Sequence, residues 1–314
     1  MKVGDDMEEI WRLFPDHLAS KLKQETMKQQ NPLEEIRLRI GDAVELIFLN
    51  SIVRLDQYHF TSEDSMYLLN QLSEHSLYRM QQELKEGYIT TTGGHRVGLA
   101  GAVVTSSGTI KQIQHITFFN IRIAKEMKGI ANELLTYLRD GKTYYNTLLI
   151  GVPQTGKTTI LRDLARLISN GHDQIPSYKV GIVDERSEIA AAYQGIPQHD
   201  IGKRTDVMDA CPKADGLMMM IRSMSPDVLM ADEIGSLKDV QALTEAMTAG
   251  VTIFSTVHGN SLSTVKKRPT LEKIFSLKMF SRYIVLSRHK ENCFSFQVVN
   301  GAGSIVHQGD LQSS

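Results

Sequence analysis

Residues 151–159 read GVPQTGKTT and match the phosphate-loop pattern GxxxxGK followed by Ser or Thr at every fixed position. The preceding residues, Thr147 to Ile150, have the pattern of a short buried strand, and Thr158 to Ile168 carries apolar residues at helical spacing. A strand, a glycine loop and a helix in this order place main-chain N–H groups at a helix N-terminus, where phosphate oxygens bind. The sequence therefore predicts a nucleoside triphosphate site.

Each part of this loop has an expected role. The amides from about Gln154 to Thr158 are expected to face the β-phosphate, Lys157 to reach the β- and γ-phosphate oxygens, and the Thr158 hydroxyl to hold Mg²⁺. The alternative interpretation is an ordinary glycine turn before a helix. The predicted nucleotide-binding residues are Gly151, Val152, Pro153, Gln154, Thr155, Gly156, Lys157, Thr158 and Thr159.

Composition bounds the class of protein. A chain of 314 residues with 41% hydrophobic residues is expected to form about two domains with ordinary cores. The formal net charge of -1 gives no argument for nucleic acid or an anionic membrane as the main partner. Cys211 and Cys293 lack disulfide or zinc spacing, which is typical of a reducing cytosol. Since no long apolar stretch or signal peptide is present, we expect a soluble, cytoplasmic chain that meets a membrane only through partners.

The first part of the chain, residues 1–129, mixes helical and strand patterns. Met7 to Leu22 predicts a helix, and the alternation from Ile36 to Leu49 predicts a hairpin. Thr61 to Leu84 predicts one or two helices, opened by a cap at its first or second residue. The β-rich, glycine-punctuated run from Tyr88 to Ile123 is typical of further hairpins. We therefore predict a smaller α+β domain at the N-terminus.

Residues 130–314 alternate short apolar runs with helical stretches. The polar segment Lys125 to Gly129 ends in glycine and is the predicted linker. Alternating strands and helices indicate a parallel sheet flanked by helices. The chain is expected to end in a hairpin turned at Asn300 to Gly303. This part is therefore predicted to be an α/β phosphate-loop domain with a C-terminal hairpin.

An acidic pair ends one of the predicted strands. Leu229 to Ala231 leads directly into Asp232 and Glu233. In a protein with a phosphate loop, the first acid supports Mg²⁺ at the end of the strand, and the second orients or deprotonates an attacking water. The pair therefore indicates hydrolysis rather than transfer to a small-molecule substrate.

A second acidic strand end and a histidine belong to the same predicted sheet. The run VGIVDERSE at 180–188 ends in three acids, and its alternative interpretation is a solvated strand end with a helix-capping serine. The string FSTVHGN at 254–260 ends a strand on His258, which we interpret as a hydrogen-bonding sensor of the γ-phosphate. The alternative for this histidine is a structural role. The three acids are Asp184, Glu185 and Glu188.

Together these strings resemble the secretion-ATPase superfamily, the hexameric motors of type II and type IV secretion and of type IV pili. Its acidic box EDPxE, Walker B segment RQDPDxxxxGE and histidine box STxHTN correspond to DERSE at 184–188, RSMSPDVLMADE at 222–233 and STVHGN at 255–260. Asp232 departs from the glycine that usually precedes the Walker B glutamate. With GGHRVGLAGAVV at 93–104, these details resemble one branch, the stage III sporulation protein AA family of endospore-forming bacteria.

The resemblance implies an α/β fold with a P-loop, RecA-like ATPase core and a smaller α+β N-terminal domain. It implies an enzyme that hydrolyses ATP with Mg²⁺ as a hexameric ring. As the resemblance implies, this enzyme would act at the inner face of the mother-cell membrane and would support a channel to the forespore made by membrane proteins. Thr158 and Asp232 would hold the metal, Glu233 would position the water, and His258 would report the γ-phosphate. Glu185 and Glu188 would assist around the metal and water.

An arginine from a neighbouring subunit is expected to complete the site, with Arg96, Arg122 and Arg222 as candidates. Two other functions stay open. A nucleic-acid translocase is disfavoured by the neutral chain, which has no aromatic-rich basic groove. The second open function is a scaffold that binds a nucleotide but hydrolyses it little. GTP is disfavoured because the sequence has no NKxD string.

Overall fold

The computed structural model describes residues 7–73, 84, 87–106, 108–172, 175–289 and 293–311. The chain divides into two compact units, Met1–Lys125 and Glu126–Ser314. Each unit has its own sheet and its own buried apolar core. Among the helices of the described ranges, none is both long and apolar enough to cross a membrane.

The first unit contains a six-stranded sheet with helices packed on it. Its elements are α1 (Glu8–Trp11), α2 (Asp16–Met27), β1 (Leu33–Arg39), β2 (Ala43–Phe48), β3 (Ser51–His59), α3 (Ser62–Ser73), β4 (Tyr88–Thr90), β5 (Arg96–Ser106) and β6 (Thr109–Arg122). The strands lie in the order β3-β2-β1-β6-β5-β4, and every neighbouring pair is antiparallel. Alternate residues of β1 and β2 are buried, as expected for a sheet with one covered face.

Local sequence signals account for much of this unit. The predicted hairpin is present, with Ile36 opposite Leu46. The cap before α3 is Thr61, whose hydroxyl accepts the Asp64 N–H at 3.1 Å while the Asp64 carboxylate accepts the Thr61 N–H at 2.9 Å. The single helix predicted near the N-terminus is wrong, because Pro15, with ψ 148°, separates α1 from α2. Positions 74–83 of the helical prediction lie outside the described residues.

The second unit contains an eight-stranded sheet and a separate two-stranded one. Its strands are β7 (Arg139–Asp140), β8 (Thr143–Tyr144), β9 (Thr147–Gly151), β10 (Val180–Asp184), β11 (Thr205–Asp209), β12 (Val228–Ala231), β13 (Thr252–His258), β14 (Arg282–His289), β15 (Cys293–Asn300) and β16 (Ile305–Leu311). Its helices are α4 (Asn132–Leu135), α5 (Lys157–Asn170), α6 (Lys213–Met224), α7 (Leu237–Thr248), α8 (Leu262–Lys266) and α9 (Glu272–Ser276).

The large sheet runs in the order β11-β10-β12-β13-β9-β14-β15-β16. The first six strands in this order are parallel, and β15 and β16 are joined to them as antiparallel strands. Every residue of β9, β10 and β12 is buried. Leu149 and Met230 point into one apolar core and Leu148 and Leu229 into another, so both faces of the sheet are covered. The predicted parallel sheet with flanking helices is confirmed.

Candidate nucleotide site

The phosphate loop connects β9 to α5. Gly156 caps the helix with φ 83°, a left-handed conformation that glycine adopts without strain. A Cβ at Gly151 would lie 2.3 Å from Thr155 Oγ1, so a larger residue does not fit there. The buried Lys157 Nζ donates to the carbonyls of Gly151 and Val152, each at 2.9 Å. Burial lowers the pKa of Lys157, and the negative charges nearby oppose this effect.

The register of the parallel strands brings the predicted residues to one edge of the sheet. Gly151 at the end of β9 lies opposite His258 at the end of β13. Ala231, which precedes the acidic pair on β12, lies opposite Ser255 on one side and Val183 on the other. The strand that carries His258 therefore lies between the phosphate-loop strand and the strand that ends in the acidic pair.

Glu233 is held on both sides of its main chain. Its N–H donates to Thr256 Oγ1 at 2.8 Å, and its carbonyl accepts Lys213 Nζ at 2.8 Å. Its φ of 23° lies in the left-handed region that residues other than glycine adopt at a cost. The carboxylate Oε2 lies 3.1 Å from His258 Nε2 and 3.6 Å from Arg186 Nη1. The predicted water-positioning acid and the predicted sensor histidine are thus in direct contact.

Asp232 is buried beside Glu233. Its Oδ1 lies 3.5 Å from Lys213 Nζ, and this oxygen has no hydrogen-bond partner among the described residues. Burial raises the pKa of Asp232, and the nearby ammonium of Lys213 opposes that rise. A buried carboxylate oxygen without a hydrogen bond is costly unless a ligand or ion satisfies it.

The acidic turn after β10 is organised by Asp184. This fully buried carboxylate accepts three main-chain N–H groups at 2.8–2.9 Å, those of Glu188, Ile189 and Ala190. Burial raises the pKa of Asp184 to about 7. No helix follows this turn, and the hydroxyl of Ser187 donates to Asp209 Oδ1 at 2.7 Å. The capping interpretation of this serine is therefore wrong.

Glu185 and Glu188 belong to the same turn but contact different residues. Glu185 Oε2 lies 3.3 Å from Lys213 Nζ, and its Oε1 accepts the Lys213 N–H at 3.3 Å. The main-chain carbonyl of Glu188 accepts a hydrogen bond from Arg162 Nη2 at 2.7 Å. The negative charge of the Glu188 carboxylate raises the pKa of Lys157. Both residues therefore belong to the same edge of the sheet as the phosphate loop.

Lys213 is the member of this site that the sequence analysis missed. It is the first residue of α6, its side chain is 5% exposed, and it contacts three groups of the two acidic strand ends. The helix dipole disfavours a cation at a helix N-terminus, so a lysine at that position is a sign that acids hold it there. The Pro212-Lys213 start of the helix was the available signal.

The three candidate arginines lie in different places. Arg222 is exposed in the last turn of α6, nine residues after Lys213 and thus about 13 Å farther along the helix. It does not join the site of its own chain. In the first unit, Arg96 Cζ stacks 3.5 Å from the centroid of the Tyr88 ring, and Arg122 Nε lies 3.8 Å from Glu35 Oε1.

The residues at this edge fit a nucleotide with Mg²⁺. The ammonium of Lys157 and the N-terminus of α5 suit phosphates, while Asp232 offers a buried carboxylate oxygen and Thr158 a half-buried hydroxyl. Within the described ranges, no group of three or more His, Cys, Asp and Glu side chains is arranged to hold a metal. Mg²⁺ that binds with a nucleotide takes most of its ligands from phosphates and water, and it needs only one or two protein groups.

This sheet order, with a phosphate loop and an acidic strand end at one edge, defines the RecA-like core of the P-loop ATPase fold. The Legionella pneumophila ATPase DotB has a TM-score of 0.60 and 13% identity, over 91% of this chain and 80% of that chain. The pilus retraction motor PilT with bound ADP has a TM-score of 0.62 and 16% identity, over 89% and 82%. At sequence identities this low, the similarity to these two structures shows a shared fold and nothing further.

The particular family follows from sequence. The family model described as "Sporulation stage III, protein AA" matches residues 4–306. Stage III sporulation protein AA of Bacillus subtilis strain 168 is 49% identical over 300 residues, which cover 96% of this chain and 97% of that protein. The chain belongs to the sporulation stage III protein AA family, and the resemblance seen in its motifs is confirmed.

Proposed function

We propose that this chain hydrolyses ATP, with Mg²⁺, at the edge of the large sheet. The placement of Glu233 carries the proposal: its carboxylate lies 3.1 Å from His258, and His258 lies opposite the first glycine of the phosphate loop. A carboxylate so placed, on a main chain fixed at both its N–H and its carbonyl, suits the activation of a water beside a bound triphosphate.

In this proposal the phosphate loop binds the nucleotide. The loop N–H groups bind the phosphates, and Lys157 exchanges its two carbonyl partners for phosphate oxygens. Thr158 and Asp232 would hold Mg²⁺, which would supply positive charge against the phosphates. The exposed Val152, Pro153 and Gln154 cover the triphosphate.

Hydrolysis falls to the acids and the histidine. Glu233 orients the water and accepts its proton, while the His258 ring stays beside the Glu233 carboxylate, with Nε2 3.1 Å from Oε2, until the γ-phosphate offers this ring an acceptor. Glu185 and Glu188 assist from the acidic turn, Glu185 through the buried Lys213. In this proposal Asp232 serves the metal, Glu233 serves the water, and Glu185 and Glu188 support them.

The assembly and location are proposed from the family and from the named relatives. We propose a hexameric ring that works as a motor for a sporulation channel, held by membrane proteins at the inner face of the mother-cell membrane. The exposed Arg222, or Arg96 or Arg122 of the first unit, would complete the site of a neighbouring chain.

Phosphate release and nucleotide binding test the enzymatic proposal. Wild type should release phosphate from ATP only with Mg²⁺, whereas Lys157→Ala should lose nucleotide binding. Glu233→Gln should bind ATP and stop turning over. Glu245→Gln, an exposed acid on α7, is the control and should behave as wild type. Tight binding by wild type without phosphate release would contradict the proposal and favour the scaffold.

Assembly needs a separate measurement. The mass of the particle should rise to that of a ring with a non-hydrolysable ATP analogue, and Glu233→Gln chains doped into wild type should depress turnover more than in proportion to their fraction. Constant turnover per chain in a preparation that is monomeric throughout would contradict a shared site. Salt-dependent binding to single-stranded nucleic acid would favour the translocase instead.

A further inference from the structure

A buried lysine joins the two acidic strand ends. Lys213 Nζ lies 2.8 Å from the Glu233 carbonyl, 3.3 Å from Glu185 Oε2 and 3.5 Å from Asp232 Oδ1. The ammonium donates hydrogen bonds to the first two oxygens and forms an ion pair with the third. The main-chain N–H of Lys213 also donates to Glu185 Oε1 at 3.3 Å. One side chain thus contacts both strand ends and the main chain of the proposed water-activating residue.

Stability alone does not explain this lysine. Taking an ammonium and carboxylates out of water costs free energy, and well-packed apolar residues often replace such buried groups without loss. The start of a helix adds a further unfavourable term for a cation. The presence of a buried lysine here is explained if Lys213 positions the groups around it.

The group placed most directly is the main chain of Glu233. With a φ of 23°, this residue has a conformation that is costly for residues other than glycine and persists only when its surroundings hold it. Thr256 Oγ1 holds the N–H and Lys213 holds the carbonyl. The next N–H, that of Ile234, donates to the Thr256 carbonyl at 2.8 Å. Release at either end lets the main chain relax and turns the Glu233 side chain.

We propose that Lys213 is a positioning residue for hydrolysis, because its ammonium fixes the carbonyl of Glu233 and thereby aims the Glu233 carboxylate at the edge of the phosphate loop. This inference rests on the proposed function, in which Glu233 activates water. Lys213 touches neither the nucleotide nor the water in this role. Its removal therefore affects the chemical step more than it affects binding.

The test combines kinetics with hydrogen exchange. Lys213→Met should lower kcat by about tenfold or more, since a misplaced catalytic group costs that much, while the Kd for ATP stays within about threefold. Exchange of the main-chain amides in residues 232–236 should become faster. Lys213→Arg should restore part of kcat. Lys238→Met, an exposed lysine in the first turn of α7, is the matched control and should change neither measurement.

Thr256→Val provides a second variant that releases the same main chain from its other end. It should lower kcat and speed the same amide exchange, so the inference stays testable if Lys213→Met folds poorly. Unchanged exchange in a folded Lys213→Met protein, or unchanged kcat in Thr256→Val, would overturn the inference. If wild type fails to hydrolyse ATP, the proposed function fails. If wild type turns over and Lys213→Met equals it, only the positioning role fails.

Discussion

Asp184 is the last residue of β10 and Asp232 directly follows the neighbouring parallel strand β12, and each is followed by Glu, yet the two aspartates have different partners. Asp184 is fully buried and accepts three consecutive main-chain N–H groups of the turn that follows it. Asp232 is 5% exposed, and its Oδ1 has no hydrogen-bond partner among the described residues. The first carboxylate therefore organises its own turn, whereas the second keeps a buried oxygen that, within the described part of the chain, has only the ammonium of Lys213, at 3.5 Å, beside it.

The two glutamates differ in the same way. Glu185 pairs with Lys213 through both carboxylate oxygens. Glu233 offers Lys213 only its main-chain carbonyl, which leaves its carboxylate to contact His258 on the next strand. The same dipeptide thus organises a turn after one strand, and after the other it leaves a carboxylate in contact with His258. The difference lies in the chain that follows each pair.

The largest expected effect separates the two glutamates by turnover. Glu233→Gln should lower kcat by about a hundredfold or more, because the amide cannot accept the proton of water. Glu185→Gln should lower kcat by about tenfold at most, because it weakens only one partner of Lys213. Steady-state phosphate release by the two variants checks this prediction. Equal losses in the two variants would show that the strand ends share one function.

The two aspartates should differ in stability. Asp184→Asn places an amide NH₂ against main-chain N–H donors and should lower the free energy of unfolding by about 2–3 kcal/mol. Asp232→Asn removes a buried charge whose Oδ1 lacks a hydrogen bond in the described ranges, while Lys213 keeps Glu185 as its ionic partner, and should change that free energy by less than about 1 kcal/mol. Urea unfolding at pH 6, without nucleotide, measures both. A larger loss in Asp232→Asn would reverse the comparison.

The protonation of Asp184 should make stability depend on pH. Burial raises the pKa of Asp184 to about 7, whereas an unfolded aspartate has a pKa of about 3.9. The folded state therefore binds more protons between these values. The contribution of Asp184 is fully present below pH 4 and is lost as pH rises through 7, with a slope of at most about 1.4 kcal/mol per unit.

The control for this pH dependence is Asp184→Asn, whose side chain does not titrate. The stability advantage of wild type over this variant should shrink as pH rises from about 4 to about 7, as measured by urea unfolding at several pH values. An advantage that stays constant or grows with pH would show that Asp184 is ionised throughout the folded range.

The smallest effect concerns the contact between the two strand ends at the surface. Arg186, from the acidic turn, has Nη1 3.6 Å from Glu233 Oε2, and its side chain is 58% exposed. Exposed ion pairs contribute little, so Arg186→Gln should change kcat by less than about threefold and stability by less than about 1 kcal/mol. Turnover measured at low and high salt checks this. A hundredfold loss of kcat in Arg186→Gln would show that Arg186 takes part in the chemical step.

Features that depend on neighbouring residues in sequence were predictable. The phosphate loop needs Gly151 and Gly156 at fixed spacing, and the Thr61 cap lies three residues from its partner Asp64. The buried apolar runs predicted the parallel sheet, because strands covered on both faces lose the alternation of polar residues. These signals are local, and the structure reproduces them.

Features that depend on distant residues were not predictable. Lys213 meets Glu185 and Glu233 only because α6 returns to the edge of the sheet, 28 and 20 residues away in sequence. The different fates of the two aspartates depend on the turn geometry after each strand, which a shared dipeptide does not encode. The φ of Glu233 likewise depends on Thr256, which lies on another strand.

Single-turnover cleavage of ATP tests the central claim, that the Asp232–Glu233 strand end performs the chemistry. Excess protein is mixed with ATP labelled at the γ-phosphate and Mg²⁺, and labelled phosphate is followed in wild type and Glu233→Gln. Wild type should convert all bound ATP, while Glu233→Gln should retain it as bound ATP over the same time. Cleavage by Glu233→Gln at the wild-type rate would contradict the assignment.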